Sequence, residues 1–441
     1  MNFKQTSLGL IPKDWEVDII NNIKSTEKNS ISMGPFGSKI KKENFIDSGV
    51  PIIRGVNLKK FEFFESDFVF VSEEKAEELK ASWVKQKDIV ITHRGTLGQV
   101  GFIPENSKYK KYIVSQSGMK LTCDENKVVS KFLYYYLNSR IGQYFLLMNK
   151  SQVGVPAIAQ ASTSLKKIPV PLPPINEQKA IANILASLDE KIATNNQINN
   201  RLEEMAQTIF KHWFVDFEFP NEIGDPYKSK GGEMVESEQG MIPKGWVVFN
   251  MGEFITVTDG THASPKKQEQ GYPLITSKHI KNNNLLLHEA NLISEKDYSE
   301  VNKRSKVDTN DILITMIGTV GVFYYVREEK IEFAIKNLGL FKMSQRQLYA
   351  NYVFLYLNSK QITDYLITRH AGSTQQYISL TELRKIPLVL PSEEIITKFN
   401  NFVESIFKQI QELKLQNETL IEIRDTLLPK FMSGEIRVPV K

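Results

Sequence analysis

The segment IPKDW at residues 11–15 returns as IPKGW at residues 242–246 of this 441-residue chain. Repetition within a chain indicates that one structural module occurs more than once. Further matches follow in the same order: GVPII at 49–53 with GYPLI at 271–275, DIVITHRGT at 88–96 with DILITMIGT at 311–319, LNS at 137–139 and 357–359, and LKKIP at 165–169 with LRKIP at 383–387. Because the order is kept and the offset drifts slowly, we predict two copies of one module that differ by small insertions and deletions.

Each copy is predicted to begin with a β-rich head. Short apolar runs, such as Ile89 to Ile91, are separated by Gly and Pro, which is the pattern of strands and turns. One amphipathic helix follows at 128–148 in the first copy and at 349–367 in the second. The proline-rich stretch 168–174 is then expected to end the head, because Pro cannot continue a helix or a central strand.

A long helix is predicted after each head. Its seam positions alternate spacings of four and three residues, the heptad pattern of a coiled coil, and charged residues fill the other faces. The seam residues are Ile181, Leu185, Leu188, Ile192, Asn195, Asn199, Leu202, Ala206 and Ile209 in the first helix, and Phe399, Val403, Ile406, Ile410, Leu413, Asn417, Leu420, Arg424 and Leu427 in the second. A helix buried in a larger core is the alternative.

The segment between the copies carries Pro, Gly and charges, and it is predicted to be a connector. If it is short in space, the second copy returns beside the first and the long helices run antiparallel. We therefore expect an α+β fold: two similar α/β heads joined by two long antiparallel coiled-coil helices, with a pseudo-two-fold repeat. The predicted parts are 1–170 (first head), 171–216 (first long helix), 217–240 (connector), 241–389 (second head) and 390–441 (second long helix and tail).

Local motifs add a family resemblance. They are GLIPKDW at 9–15, LPPINEQ at 172–178 entering the first long helix, FKHWFVDFE at 210–218 leaving it, and LLPKFMSGEI at 427–436 closing the chain. In this combination the chain resembles the specificity subunit of type I restriction–modification systems over essentially its whole length. One departure is PSEE at 391–394, where the second junction lacks the Pro-Pro and Glu-Gln pairs of the first, so the two junctions need not bind partners identically.

The resemblance implies a function. Each head would be a target recognition domain that reads one half of a split sequence in double-stranded DNA. The long helices would act as a spacer and dock two methyltransferase subunits and the restriction, or motor, subunits. Those partners would use S-adenosylmethionine, ATP and magnesium, whereas this chain would carry neither a cofactor nor a catalytic site. A coiled-coil scaffold between proteins, without a DNA role, is one alternative.

A self-sufficient DNA enzyme is the other alternative, and the sequence lacks its motifs. There is no Asn-Pro-Pro-Tyr loop for a flipped base and no phosphate-binding loop with its lysine. The glycines at 95–101 lie between two apolar runs, so they predict a β-turn or a bulge rather than a nucleotide site. The six histidines lack metal-ligand spacing, and Asp216-Phe217-Glu218 lacks the following lysine of a nuclease site.

Composition narrows the setting. A net charge of +5 mildly favours an anionic partner. The single cysteine, Cys123, excludes an internal disulfide and a cysteine-based metal site. The N-terminus does not resemble a signal peptide, and no apolar run approaches the roughly 20 residues that span a bilayer, so we expect a cytoplasmic protein without a membrane partner.

Candidate DNA contacts are polar or basic residues in loops, since Lys and Arg grip phosphates while Arg, Asn, Gln, Ser and Thr read base edges. In the first head they are Ser38, Lys39, Lys41, Lys42, Arg54, Thr92, His93, Arg94, Thr96, Lys108, Lys110, Lys111 and Gln152. In the second they are Thr261, His262, Ser277, Lys278, His279, Thr319, Thr374, Gln375 and Gln376. Ile317 stands where the first head has Arg94, so the heads would present different chemistry at one scaffold point. A solvated charged loop, or a head that binds protein, is the alternative.

Two further pairs of residues invite a functional interpretation. Trp15 and Trp246 could stack on bases, but they recur at the same module position, so we predict core packing. Asn199 and Asn417 share a seam position, and in an antiparallel pair they would not face each other. We interpret them as register or partner-contact residues rather than as a mated pair.

Overall fold

The structure, a computed structural model, describes residues 2–151, 154–281, 284–372 and 376–439. The chain divides into two compact units, of which unit 1 holds residues 1–195 and 415–441 and unit 2 holds residues 196–414. Each unit therefore contains one head and a part of each long helix. No helix among the described residues combines the length and the apolar composition needed to cross a membrane.

The first head is built from short strands. They are β1 Phe3–Thr6, β2 Gly9–Pro12, β3 Glu16–Ile19, β4 Ile31–Met33, β5 Val50–Ile53, β6 Leu58–Lys59, β7 Glu62–Phe63, β8 Val69–Val71, β9 Trp83–Val84, β10 Ile89–Thr92, β11 Val100–Phe102, β12 Tyr112–Val114, β13 Gly118–Leu121, β14 Lys150–Ser151, β15 Ala157–Ile158 and β16 Pro169–Leu172. One sheet has the antiparallel order β11-β10-β13-β4, and a second has the order β8-β5-β12-β9, in which β5 and β12 are parallel.

The second head repeats this arrangement. Its strands are β17 Met234–Ser237, β18 Gly240–Pro243, β19 Val247–Asn250, β20 Val257–Asp259, β21 Tyr272–Ile275, β22 Ile280–Lys281, β23 Asn284–Leu285, β24 Asn291–Ile293, β25 Ile312–Thr315, β26 Phe323–Tyr325, β27 Ala334–Ile335, β28 Leu338–Phe341 and β29 Pro387–Leu390. The sheets have the orders β26-β25-β28-β20 and β24-β21-β27, with β21 and β27 parallel. The matching order confirms the repeat that the sequence predicted.

Two boundaries differ from the sequence prediction. The hairpin β17–β18 reproduces the hairpin β1–β2, so the second copy begins inside the predicted connector, at Met234. The proline-rich stretch before the first long helix does not simply end the head but contains strand β16, which pairs with β3. Proline is tolerated in this two-stranded ladder, where a strand needs only one hydrogen-bonded edge.

The helices are α1 Ile20–Ile23, α2 Glu73–Glu78, α3 Ser130–Asn138, α4 Arg140–Leu147, α5 Ala161–Lys166, α6 Ile175–Phe210, α7 Met251–Phe254, α8 Glu295–Ser305, α9 Ala350–Leu357, α10 Lys360–Thr368, α11 Leu380–Arg384 and α12 Glu393–Ser433. The prediction of a single amphipathic helix in each head was wrong, since both are broken. Ser139 and Ser359 stand at the breaks in extended conformation, and each hydroxyl accepts a hydrogen bond from the first turn of the next helix.

The long helices α6 and α12 carry the predicted seam. Every predicted seam residue is buried or half-buried. Within unit 1 the helices run antiparallel, because Asp189 pairs with Arg424 at 2.9 Å while Asn195, further along α6, donates to Asn417, earlier in α12, at 2.8 Å. Asn195 is thus a partner of Asn417 within unit 1.

Aromatic side chains fill the cores where head and long helix meet. Trp15 and Trp246 are buried, which confirms that they are packing residues. In unit 2, Phe214, in the helical turn that follows α6, contacts both Phe399 of α12 and Trp246 of the second head, with ring centroids 4.7 and 5.9 Å away. These contacts hold the second head on its part of the helix pair.

Candidate nucleic-acid interface

Strand ends in the first head bring remote loops together. The parallel pairing of β5 and β12 places Arg54 and Ser115 at the same edge, and the Ser115 amide donates to the Ile53 carbonyl at 2.9 Å. The antiparallel pairing of β10 and β13 places His93 beside Ser117, whose carbonyl accepts from the His93 amide at 2.8 Å. The result is the first-head cleft, of about 450 Å³, lined by Arg54, Arg94, Ser115, Gln116 and Ser117.

The two arginines of this cleft differ in freedom. The half-buried Arg54 is fixed, because its Nη2 donates to the Asp67 carbonyl at 2.5 Å and its own amide donates to Asn57 at 2.9 Å. The side chain of Arg94 is exposed on the turn between β10 and β11. A guanidinium offers N–H donors in a planar fork, which suits phosphate oxygens and the acceptor edge of guanine alike.

A third loop joins the cleft through the backbone. The Gly95 amide donates to the Pro156 carbonyl at 2.8 Å, and Arg94 forms a β-bridge with Ala157. The loop between β14 and β15 therefore lies against the Arg94 turn. Of the predicted contacts there, Gln152 lies outside the described residues, whereas Thr96 is exposed on the turn itself.

The turn that carries Arg94 joins two antiparallel strands, as predicted for the glycines at 95–101. Thr92 closes it, because its buried hydroxyl accepts from the Gln99 amide at 3.0 Å. His93 is buried as well, and burial lowers the pKa of its ring. Neither Thr92 nor His93 presents its side chain to solvent, so the prediction that they contact DNA finds no accessible group.

The basic loop before β12 lies elsewhere. Lys108, Lys110 and Lys111 precede β12, whereas the cleft residues follow it, so they lie at opposite ends of this strand. Lys111 is paired with Glu73 at 2.9 Å, and this contact raises the pKa of its ammonium group. Lys108 and Lys110 remain exposed. The sequence grouped these lysines with Arg94, but the fold does not bring them to the cleft.

A second basic loop begins next to the cleft. The Gly34 amide donates to the Gly118 carbonyl at 2.9 Å, which anchors the start of the segment that runs through Lys39, Lys41 and Lys42. These three lysines are exposed, and Lys41 lies 3.4 Å from Glu43. The side chain of Ser38, also predicted here, is outside what the structure describes. Exposed lysines, with their long aliphatic stems, act as phosphate contacts more readily than as base readers.

The second head presents the same edge with other residues. The Thr261 amide donates to Ile335 at 3.1 Å, and the Asn337 amide donates to Thr261 at 3.2 Å. His262 is exposed and lies 2.8 Å from the side chain of Asn337. We call Thr261, His262, Lys336 and Asn337 the second-head edge.

Other predicted residues of the second head are distributed around this edge. His279 is buried, and its Nδ1 accepts from the Thr276 amide at 2.9 Å, the task that Asn57 performs beside Arg54. Its prediction as a DNA contact therefore finds no accessible side chain. Lys278 is exposed and Ser277 half-buried in the same turn.

The turn between β25 and β26 carries Thr319, which is exposed. The adjacent Gly318 amide donates to the carbonyl of exposed Gln376 at 3.1 Å, so two predicted contacts meet here. Thr374 and Gln375 lie outside the described residues. Ile317, which replaces Arg94, is half-buried and bridges to Tyr377.

The loops that follow β12 and β27 were not predicted from the sequence. Ser115, Gln116 and Ser117 line the first cleft, while Lys336 and Asn337 occupy the equivalent place in the second head. The signal was present, because each is a short polar run between two apolar strands at the same point of the repeat. It is a weak signal because neither loop contains a motif or a cluster of basic residues.

The described residues show no metal centre. Among them no group of three or more His, Cys, Asp or Glu side chains is placed to hold an ion. The acidic pair at the end of the first long helix is engaged in other contacts: Asp216 pairs with Lys211 at 2.7 Å, and Glu218 accepts from Ser229 at 3.1 Å.

Comparison with known proteins gives one family. The family described as "Type I restriction modification DNA specificity domain" matches residues 32–204 and again residues 243–422. The chain is 25% identical to the type I restriction enzyme MjaIX specificity subunit of Methanocaldococcus jannaschii, over 99% of this chain and 96% of the relative. It is 26% identical to the HindI specificity subunit of Haemophilus influenzae, over 76% and 84%.

A solved structure shares the fold. The crystal structure of a type I restriction–modification S subunit from M. genitalium superposes with a TM-score of 0.52 at 17% identity, covering 96% of each chain.

Proposed function

The chain belongs to the family of type I restriction–modification DNA specificity proteins, and on this premise we propose that each head reads one half of a bipartite target in double-stranded DNA. The observation that carries the proposal is the shared edge of the two heads. One strand frame presents Arg54, Arg94 and Gln116 in the first head, but His262 and Asn337 in the second. Equal frames with unequal donor and acceptor sets suit two unequal half-sites.

Exposed lysines extend this interface beyond base reading. In the first head, the loop that begins next to the cleft carries the exposed residues Lys39, Lys41 and Lys42. In the second head, Lys278 is exposed in the short helical turn capped by Thr276. Such side chains supply the phosphate contacts that fix a protein on the duplex without selecting a sequence. Together the two kinds of contact complete a DNA-reading surface.

The helices α6 and α12 have a different role in the proposal. They act as a spacer between half-sites and dock two methyltransferase subunits and the restriction subunits of a type I complex. The relatives named as specificity subunits of type I restriction enzymes support this assignment. In such a complex the partners supply the chemistry that uses S-adenosylmethionine, ATP and magnesium, and this chain recognises the target sequence.

Adenine-methylation mapping tests the proposal. The gene is deleted in its host and then restored, with genomic methylation sequenced in each strain. We expect one bipartite motif to disappear and return with the gene. Replacing residues 16–165 by the first head of another family member should then change one half-site only. If deletion leaves the methylation pattern intact, or if the swap changes both half-sites, the proposal is refuted.

A further inference from the structure

The loop between β27 and β28 holds Asn337 in a strained but well-supported position. Lys336 and Asn337 alone connect the two strands, and the φ angle of Asn337 is 55°. The left-handed region is unfavourable for residues with a Cβ, although Asn tolerates it better than most. Such strain persists where the surroundings hold the residue in place, and it concentrates at ligand-contacting sites.

The support for Asn337 is a chain of polar contacts within the second head. The Asn337 Oδ1 lies 2.8 Å from Nδ1 of His262, and Nε2 of the same ring lies 2.9 Å from Oδ2 of Asp259. The other carboxylate oxygen of Asp259 accepts from Arg304, in α8. Asp259 is only 7% exposed, so the chain is anchored inside the head while its far end reaches the surface.

Among the described residues of the first head, these polar contacts have no counterpart. The amides of Gly34 and Gly260 make equivalent backbone hydrogen bonds to β13 and β28, which aligns the two heads. In this alignment Met33, at the end of β4, corresponds to Asp259, at the end of β20, and Phe36 corresponds to His262. A general requirement of the fold would appear in both copies. These polar contacts are therefore a feature specific to the second head.

We propose that Asn337 is a specificity-determining residue that reads an adenine in the half-site of the second head, and that His262 and Asp259 are its positioning residues. The proposal rests on the DNA-reading function given above. The contact with His262 occupies one side of Oδ1 and leaves a second lone pair and the Nδ2 hydrogens. That remaining set matches the N6 donor and N7 acceptor of adenine in the major groove.

Substitution of Asn337 tests the proposal in the native host, with the full chain and its natural partners. Asn337→Ala should relax one adenine of the motif, with discrimination at that position falling between about fivefold and a hundredfold, as for loss of one bidentate contact. The other positions, the other half-site and the spacer should stay unchanged. Asn337→Asp should instead move the preference at that position towards cytosine, because a carboxylate accepts from the cytosine N4 amine.

The chain offers a matched control in Asn310. It is also a half-buried Asn in left-handed conformation, with a φ of 74°, but it precedes β25, whereas the reading edge follows that strand. Asn310→Ala should leave the motif unchanged. His262→Ala should relax the same adenine as Asn337→Ala, and His262→Gln, whose amide can still bond to Asn337, should restore part of the discrimination.

The outcomes separate this inference from the proposed function. If wild-type methylation depends on the gene but the Asn337 variants keep the full motif, the inference fails and the function stands. The inference also fails, and the function again stands, if both Asn337 variants abolish methylation at every site, since a reading residue alters one position and not the whole activity. If methylation does not depend on the gene at all, the proposed function itself fails.

Discussion

We predict that Arg424→Ala destabilises unit 1 by about 3–5 kcal/mol, the cost of leaving one member of a buried ion pair without its partner. Arg424 occupies a seam position of α12, with 9% of its side chain exposed, and its Nη1 lies 2.9 Å from Oδ1 of Asp189, which is 12% exposed. Tyr135 donates to the other carboxylate oxygen at 2.6 Å, and the guanidinium lies 4.0 Å from the ring centre of Phe61. Removing Arg424 takes away the charge that lies 2.9 Å from this carboxylate, while the hydrogen bond from Tyr135 stays.

The loss of stability in Arg424→Ala should depend on pH in a defined direction. Burial raises the pKa of Asp189, while Tyr135 and Arg424 act in the opposite direction. Without Arg424 the folded-state pKa rises further above the unfolded value, so the folded variant takes up a proton more readily than the unfolded chain. Its stability then increases as the pH falls towards the range in which Asp189 is protonated. The deficit of the variant should be largest at neutral pH and smaller in acid.

Urea unfolding of the full chain, with hydrogen exchange of the segment 175–195 as the local probe, measures this deficit. The control is the double variant Arg424→Met with Asp189→Asn, which removes both charges and keeps most of the volume. Replacing a buried ion pair as a whole is often nearly neutral, so we expect a change of about 1 kcal/mol or less. A loss below about 1 kcal/mol in Arg424→Ala, or a deficit that is constant between pH 5 and pH 8, would refute the reasoning.

Four other perturbations have expected outcomes. Arg437→Ala should cost about 3 kcal/mol, because it removes the charge 2.6 Å from Glu177, whose side chain is 3% exposed and keeps the hydrogen bond from Trp15; unchanged hydrogen exchange at the start of α6 would contradict this. Arg94→Ala should relax one position of the first half-site by about 1–3 kcal/mol in methylation mapping, whereas a uniform loss would mark a phosphate contact. Inserting four residues between positions 192 and 199 lengthens α6 by about 6 Å, so the mapped spacer between the half-sites should grow by about one or two base pairs. An active enzyme with the original spacer would show that helix length does not set the distance between the half-sites. Purified chain with S-adenosylmethionine, ATP and magnesium should leave DNA unmodified, and turnover that survives removal of all partners would overturn the non-catalytic assignment.

The repeat and the helical seam could be predicted because both are written in local sequence. A heptad pattern depends only on spacing along one helix, and all of its residues proved buried or half-buried. The helix breaks at Ser139 and Ser359 were not predicted because the spacing of the apolar residues continues across them. The signal was nevertheless visible, since the serine of each LNS motif is a residue type that favours helix N-caps.

The candidate site could be predicted only in part. Arg54 and Arg94 were recognised as residues that leave strands, but their meeting depends on the pairing of β5 with β12 and of β10 with β13. Register between strands so distant in sequence is not expressed in any local pattern. Burial was equally hidden: His93 and His279 are polar loop residues by sequence, yet both lie inside the heads.

The comparison of the two heads separates residues that close a loop from residues exposed at its tip. Thr92 and Thr315 are both buried and both close their turns through the hydroxyl, so the same chemistry is retained where the backbone depends on it. At the tip of the same turns, Arg94 is replaced by Ile317. Loop tips tolerate substitution because they carry few contacts of the core, whereas a buried turn-closing hydroxyl leaves an unpaired amide when it is lost. Under the proposed function, the contacts that a head offers to DNA can therefore change at the loop tips while the buried hydroxyl keeps the turn closed.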